Sequence, residues 1–81
     1  MVKTELERFS ERSARQLLEL ERECIRFLEL RNRLAHDDLD EAERDRLEGD
    51  LYAQLTQLES AAEVAREGMD AVTEALPDDD E

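Results

Sequence analysis

Tryptophan is absent from this chain, and two Phe and one Tyr make up its whole aromatic content. Large anchors for an independent core are therefore few, and a chain of 81 residues buries only about 60% of the surface its unfolded form exposes. A lone globule would be marginal, so cover from a partner chain is expected. Glycine occurs twice and proline once, too little turn chemistry for a sheet protein. The single cysteine, Cys24, excludes an internal disulfide. No apolar run approaches the roughly twenty residues of a membrane span, and no leader or lipidation motif is visible, so the sequence reads as a soluble cytoplasmic protein. Lysine is almost missing: Lys3 is the one base that is not arginine. Set against 24 acids, the 11 bases leave a net charge of −13, which repels phosphate and argues against a general nucleic-acid binder. This acid-rich, lysine-poor balance suits a high-salt cytoplasm or a GC-rich genome.

What remains is mostly Leu, Ala, Glu, Arg, Gln and Asp, the composition of long helices, and the expected class is all-α. Charge divides the chain. Residues 1–35 hold eight bases and seven acids, whereas residues 36–81 hold three bases and seventeen acids. Between the halves, Asp38 with Glu41 has the form of a helix N-cap with its capping-box partner. A helix over about 3–36, a turn at about 36–38 and a second helix over about 39–76 follow. Pro77 biases Leu76 away from helix, ending the second helix and leaving 77–81 as a disordered acidic tail.

Apolar spacing supplies the pairing. In the second half Leu51, Leu55, Leu58, Ala62, Ala65, Met69, Val72 and Leu76 recur at steps of four and three, a heptad seam. In the first half Leu17, Leu20, Cys24, Phe27, Arg31 and Leu34 do the same, with Leu6, Phe9 and Ser13 joining through one four-residue stutter. Folded back, Cys24 would face Leu51, Leu20 would face Leu55, and Leu17 would face Leu58. Ser13 would face Ala62 and Leu6 would face Met69, with Phe9 over Ala61, Ala62 and Ala65. The expected architecture is an antiparallel two-helix hairpin of coiled-coil type forming a single unit over residues 1–76. Leu18, Ile25 and Leu28 beside the first seam, and Ala61, Val64, Gly68 and Ala71 beside the second, widen the apolar arc beyond what two helices cover. Two hairpins packed as a four-helix bundle would cover it, as would another helical protein. Gly49 and Gly68 each weaken a helix interior by about 0.8–1 kcal/mol relative to Ala.

Arg8, Arg12, Arg15, Arg22, Arg26 and Arg33 form one stripe on the first helix. It reads as a solvated face laced with ion pairs to Glu11, Glu19, Glu23 and Glu29, or as a grip for RNA or an acidic protein surface. The acids around residues 37–43 lack the glycine and distal glutamate of a calcium loop and read as helix caps. Cys24 reads as a small buried hydrophobe. With one Cys and one His there is no zinc set, no local nucleophile constellation and no glycine-rich phosphate loop, so neither a metal nor a cofactor is expected.

One segment carries a motif. Leu30-Arg31-Asn32-Arg33-Leu34-Ala35-His36 contains Arg-Asn followed by His at a fixed spacing, at the end of one helix and before a loop. It resembles the Arg-Asn-x-x-x-His signature of HEPN-domain ribonucleases over about seven residues. That resemblance implies a metal-independent endoribonuclease acting as a dimer, with Arg31 stabilising phosphate charge, Asn32 orienting the site and His36 as general acid or base. From the residues alone, Arg31 is a seam arginine paired with Glu43 or Glu48 on the facing helix, and His36 sits at the negative end of a helix. The sequence therefore supports a non-enzymatic protein–protein interaction module first, a HEPN-like ribonuclease second, and an acidic mimic of nucleic acid third.

Overall fold

The computed structural model describes residues 4–76. Among them the chain forms two helices, α1 (Glu5–Leu34) and α2 (Glu41–Ala75), and no strand. They lie against each other as an antiparallel hairpin in a molecule measuring 63 × 28 × 15 Å. The expected tail, residues 77–81, lies outside the described residues.

Each helix starts on a reciprocal capping box. In α1 the Glu7 N–H donates to Thr4 Oγ1 at 3.1 Å while the Thr4 N–H donates to Glu7 Oε1 at 2.8 Å. In α2 the box is Asp40 with Glu43, at 2.7 and 3.0 Å. The expected cap at Asp38 is thus two residues early. Both Asp38–Glu41 and Asp40–Glu43 have the required spacing, but capping at Asp40 leaves Leu39 in the connection, where it is half-buried. The connection accordingly runs over residues 35–40. Acids in the first turns (Glu5, Glu7, Glu41, Glu43) and Arg31 and Arg33 in the last turn of α1 complement the helix dipoles. Arg44 reaches back across the connection and donates to the Leu34 carbonyl at 3.4 Å, satisfying an acceptor that α1 leaves open. At the far end Leu76 is extended (φ −67°, ψ 145°), as a residue before proline must be.

The seams differ from the expected ones. On α1 the residues turned toward α2 are Leu6, Phe9, Ser13, Gln16, Leu20, Glu23, Phe27, Leu30 and Leu34. They alternate steps of three and four without a stutter. On α2 they are Arg44, Leu47, Leu51, Gln54, Leu58, Ala61, Ala65, Gly68, Val72 and Ala75, again unbroken. Leu17, Cys24 and Arg31 are therefore replaced by Gln16, Glu23 and Leu30, and Leu55, Ala62, Met69 and Leu76 by Gln54, Ala61, Gly68 and Ala75. All seven displaced residues are exposed. Moving every second seam position back by one residue corresponds to rotating each helix about 50° around its axis. A stutter would locally unwind the pair, whereas the observed seven-residue repeat is uninterrupted.

Two features hold this rotation. The Gln54 amide is buried and donates to both the carbonyl of Glu23, at 3.2 Å, and its carboxylate, at 2.5 Å, bridging the helices at mid-length. Toward the chain ends the contact is made by small residues: Ser13 and Ala65 are buried, and Gly68 lies so close to α1 that a side chain there would overlap the Gln16 amide. Among the described residues the buried apolar side chains are Leu47 and Ala65. The pairing is also shifted, since Glu23 is level with Gln54 and Leu34 with Arg44, whereas the expected pairing put Cys24 opposite Leu51.

This packing is testable at Gly68 and through salt. In Gly68→Ala the new methyl displaces only the flexible end of Gln16, whose buried oxygen has no hydrogen-bond partner, while the nearest backbone atom, Ser13 Cα, is 3.7 Å away. The helix-propensity gain then prevails, and thermal denaturation should show stabilisation of about 1 kcal/mol; a lower melting temperature would show that Gln16 does not give way and that this level requires glycine. Within the described helices α1 carries seven acids and seven bases, but α2 carries ten acids and three bases. Screening α2 should raise the melting temperature as KCl increases toward molar concentration, and a flat or falling dependence would exclude self-repulsion as a limit on stability.

Candidate functional site

Rotation of both helices in the same sense decides which residues are presented outward. In an antiparallel pair, positions following the seam on one helix lie on the same side as positions following it on the other. The displaced residues Leu17, Cys24 and Arg31 of α1 and Leu55, Ala62 and Met69 of α2 therefore share one broad face. Its borders carry Leu28, Glu21 and Ala14 on α1 and Tyr52, Glu59 and Arg66 on α2. Leu17, Leu28, Leu55 and Met69 are 43, 52, 46 and 52% exposed, and Tyr52 76%. An open groove of about 470 Å³ lined by Tyr52, Leu55, Leu58 and Ala62 runs along the α2 side of this face.

The opposite face is polar. It carries the arginine stripe and an open groove of about 370 Å³ lined by Glu23, Arg26, Leu30, Asp50, Ala53, Gln54 and Gln57. All six stripe arginines are exposed. Arg22 pairs with Glu19 at 3.5 Å, one helical turn away, and Arg12 lies 5.7 Å from the Phe9 ring centre. These local contacts suit a solvated face.

The expected interface residues scatter. Ala61 and Gly68 are part of the contact between α1 and α2, with Ala71 half-buried at its edge. Val64 is exposed on the arginine side, and Leu18 and Ile25 point away from α2, at 46 and 51% exposure. Of this set only Leu28 borders the apolar face.

The Arg31, Asn32 and His36 triplet is placed on exposed surface. Arg31 leaves the seam because Leu30 takes its place, and among the described residues its guanidinium makes no hydrogen bond or ion pair, to Glu43, Glu48 or any other group. Asn32 follows it one residue on, about 100° further round the helix. His36 lies beyond the helix end, its backbone N–H donating to the Arg33 carbonyl at 3.2 Å. Arg31, Asn32 and His36 are all exposed, and the open groove beside them is lined by Asn32 with Arg26, Glu29, Leu30 and Arg33. A single chain thus assembles no enclosed site from the motif. Cys24, expected in the interior, is exposed. Among the described residues no cluster of His, Cys, Asp or Glu could hold a metal ion, and no helix is long and apolar enough to cross a membrane.

Sequence reasoning missed the polar seam positions Gln16, Glu23 and Gln54. A signal for them exists: continuing the three–four alternation from Leu6, Phe9 and Ser13 leads to Gln16 and Leu20, without a stutter. No protein-family profile, curated protein or solved structure matches the chain. The motif is directly testable. RNA incubated with the purified protein should be cleaved no faster than with the Arg31→Ala/His36→Ala variant, and cleavage that disappears in that variant would establish the ribonuclease reading.

Proposed function

We propose that this chain is a non-enzymatic helical-hairpin interaction module that functions by self-association. The observation that carries this reading is an inversion of polarity: Gln16, Glu23 and Gln54 occupy the contact between the helices while Leu17, Leu55 and Met69 stand outside it. Burying one leucine side chain is worth about 1.5–3 kcal/mol. A rotation of about 50° would bring Leu17, Leu55, Met69 and Cys24 inward, but it would also turn Leu30 out, bring Arg31 in and break the Gln54–Glu23 bonds. The chain therefore keeps these apolar side chains outside, where a further surface is needed to cover them.

Surface area supports the same reading. The chain exposes 6663 Å², whereas a compact monomer of 9.4 kDa exposes about 5,000 Å². The difference exceeds the roughly 800 Å² that each partner contributes to a standard protein–protein interface. Four helices around one apolar interior are the simplest arrangement that consumes it.

Light scattering after gel filtration, across a range of protein concentration and at low and molar KCl, tests this directly. The expected mass is about twice the chain's 9.4 kDa or a higher multiple, with a melting temperature that rises with protein concentration. A monomer at every concentration, melting at one constant temperature, would overturn the reading.

A further inference from the structure

The apolar face carries two matched ladders. On α1, exposed positions seven residues apart are Ser10, Leu17, Cys24 and Arg31; on α2 they are Met69, Ala62, Leu55 and Glu48, all exposed as well. Residues of α1 and α2 lie level when their numbers total about 78, as the bonds between Glu23 and Gln54 and between Leu34 and Arg44 show. Taken level by level, the ladders read Ser10 with Met69, Leu17 with Ala62, Cys24 with Leu55, and Arg31 with Glu48. Each level sets a small side chain against a large one, or a positive against a negative.

Within one hairpin these residues flank the seam side by side. A two-fold axis lying in the face and parallel to the long axis of the hairpin changes that relation. It carries α1 of one copy over α2 of the other, antiparallel, and leaves every residue at its own level. Large side chains then meet the gaps beside small ones at three successive levels, the condition for interdigitated packing without voids.

We propose that this face is the contact between two copies of the chain, related by such an axis. Leu17 of each copy packs on Ala62 of the other, Cys24 on Leu55 and Ser10 on Met69, and Arg31 pairs with Glu48 at the end nearest the helix connection. The groove between Leu55 and Ala62 lies between the levels of the opposing Leu17 and Cys24. The pairing gives Arg31, unpartnered within the described chain, a carboxylate partner, and it covers the exposed thiol of Cys24. The arrangement rests on the self-association reading above and specifies its geometry.

Two measurements on the full chain test it. In the first, sedimentation equilibrium compares the wild type with Arg31→Glu, Glu48→Arg and the double exchange. Each single exchange sets like charges together twice per dimer and should weaken dimerisation roughly tenfold, and the double exchange should restore most of that loss. Both sites are exposed in the single chain, so helicity by circular dichroism should be unchanged. In the second, the rate at which Cys24 reacts with a small thiol reagent is followed against protein concentration. The reaction should be fast when the protein is dilute and should slow roughly tenfold or more as dimer forms. Leu17→Glu should keep the thiol fast at concentrations where the wild type is protected.

A dimer whose Cys24 stays fully reactive, or whose single exchanges are neutral, would overturn this face while leaving self-association intact. Single exchanges that weaken dimerisation without rescue by the double would overturn the Arg31–Glu48 pairing and with it the axis. A monomer throughout would remove both this arrangement and the reading beneath it.

Discussion

The rotation of each helix about its own axis is the variable on which everything else in this hairpin depends, and the bond from Gln54 to Glu23 sets it. A buried amide without an acceptor costs about 1–3 kcal/mol, so Gln54 stays inside only while the Glu23 carbonyl and carboxylate face it. That requirement fixes the level of α1 against α2 at mid-length, as a polar residue at a core position fixes register in paired helices generally. It also fixes which neighbours turn outward. Leu17 and Cys24 on one helix, Leu55 and Ala62 on the other, are exposed because the residue before each of Leu17, Cys24, Leu55 and Ala62 is inside.

The two ends of the contact are built differently. Toward the connection the interior contains Leu30, Leu34, Leu47 and Leu51, and Arg44 ties α2 to the end of α1. Past mid-length it narrows to Ser13, Ala61, Ala65 and Gly68, where backbones approach and little apolar area is buried, before Leu6, Phe9 and Val72 close the contact at the chain ends. The largest apolar interior is near the connection.

Element type, element order and the stop before Pro77 are legible in the sequence because each rests on local chemistry: helix-forming composition, a capping aspartate and a proline. The capping pattern points two residues early because Asp38 and Asp40 offer the same spacing to a glutamate, and only burial of Leu39 separates them. The seams are half legible. Leu20, Phe27, Leu51, Leu58, Ala65 and Val72 are inside as their spacing implies, but for the positions between them a pattern of hydrophobicity alone selects the most apolar neighbour. Gln16, Glu23 and Gln54 escape such a pattern, since what admits a glutamine to a helix contact is an acceptor on another helix. For the Arg31 motif, spacing along the chain is visible, but a surface arginine and a histidine beyond a helix end share no enclosure within one chain.

A hairpin places Thr4 and Leu76 at one pole of the rod and the connection at the other. Tension applied through the two ends is therefore directed across the contact rather than along it, and the helices peel apart level by level instead of sliding past each other as a unit. The outermost levels, with Leu6, Phe9 and Val72, open first, and the Ser13–Gly68 level follows at low force because it buries little apolar area. The Gln54 bridge then stands as the next barrier, and the leucines around Leu34 and Leu47 as the last. Mechanically the molecule is a zipper graded from a weak open end to a firm closed one, and reclosing starts where the chain never came apart.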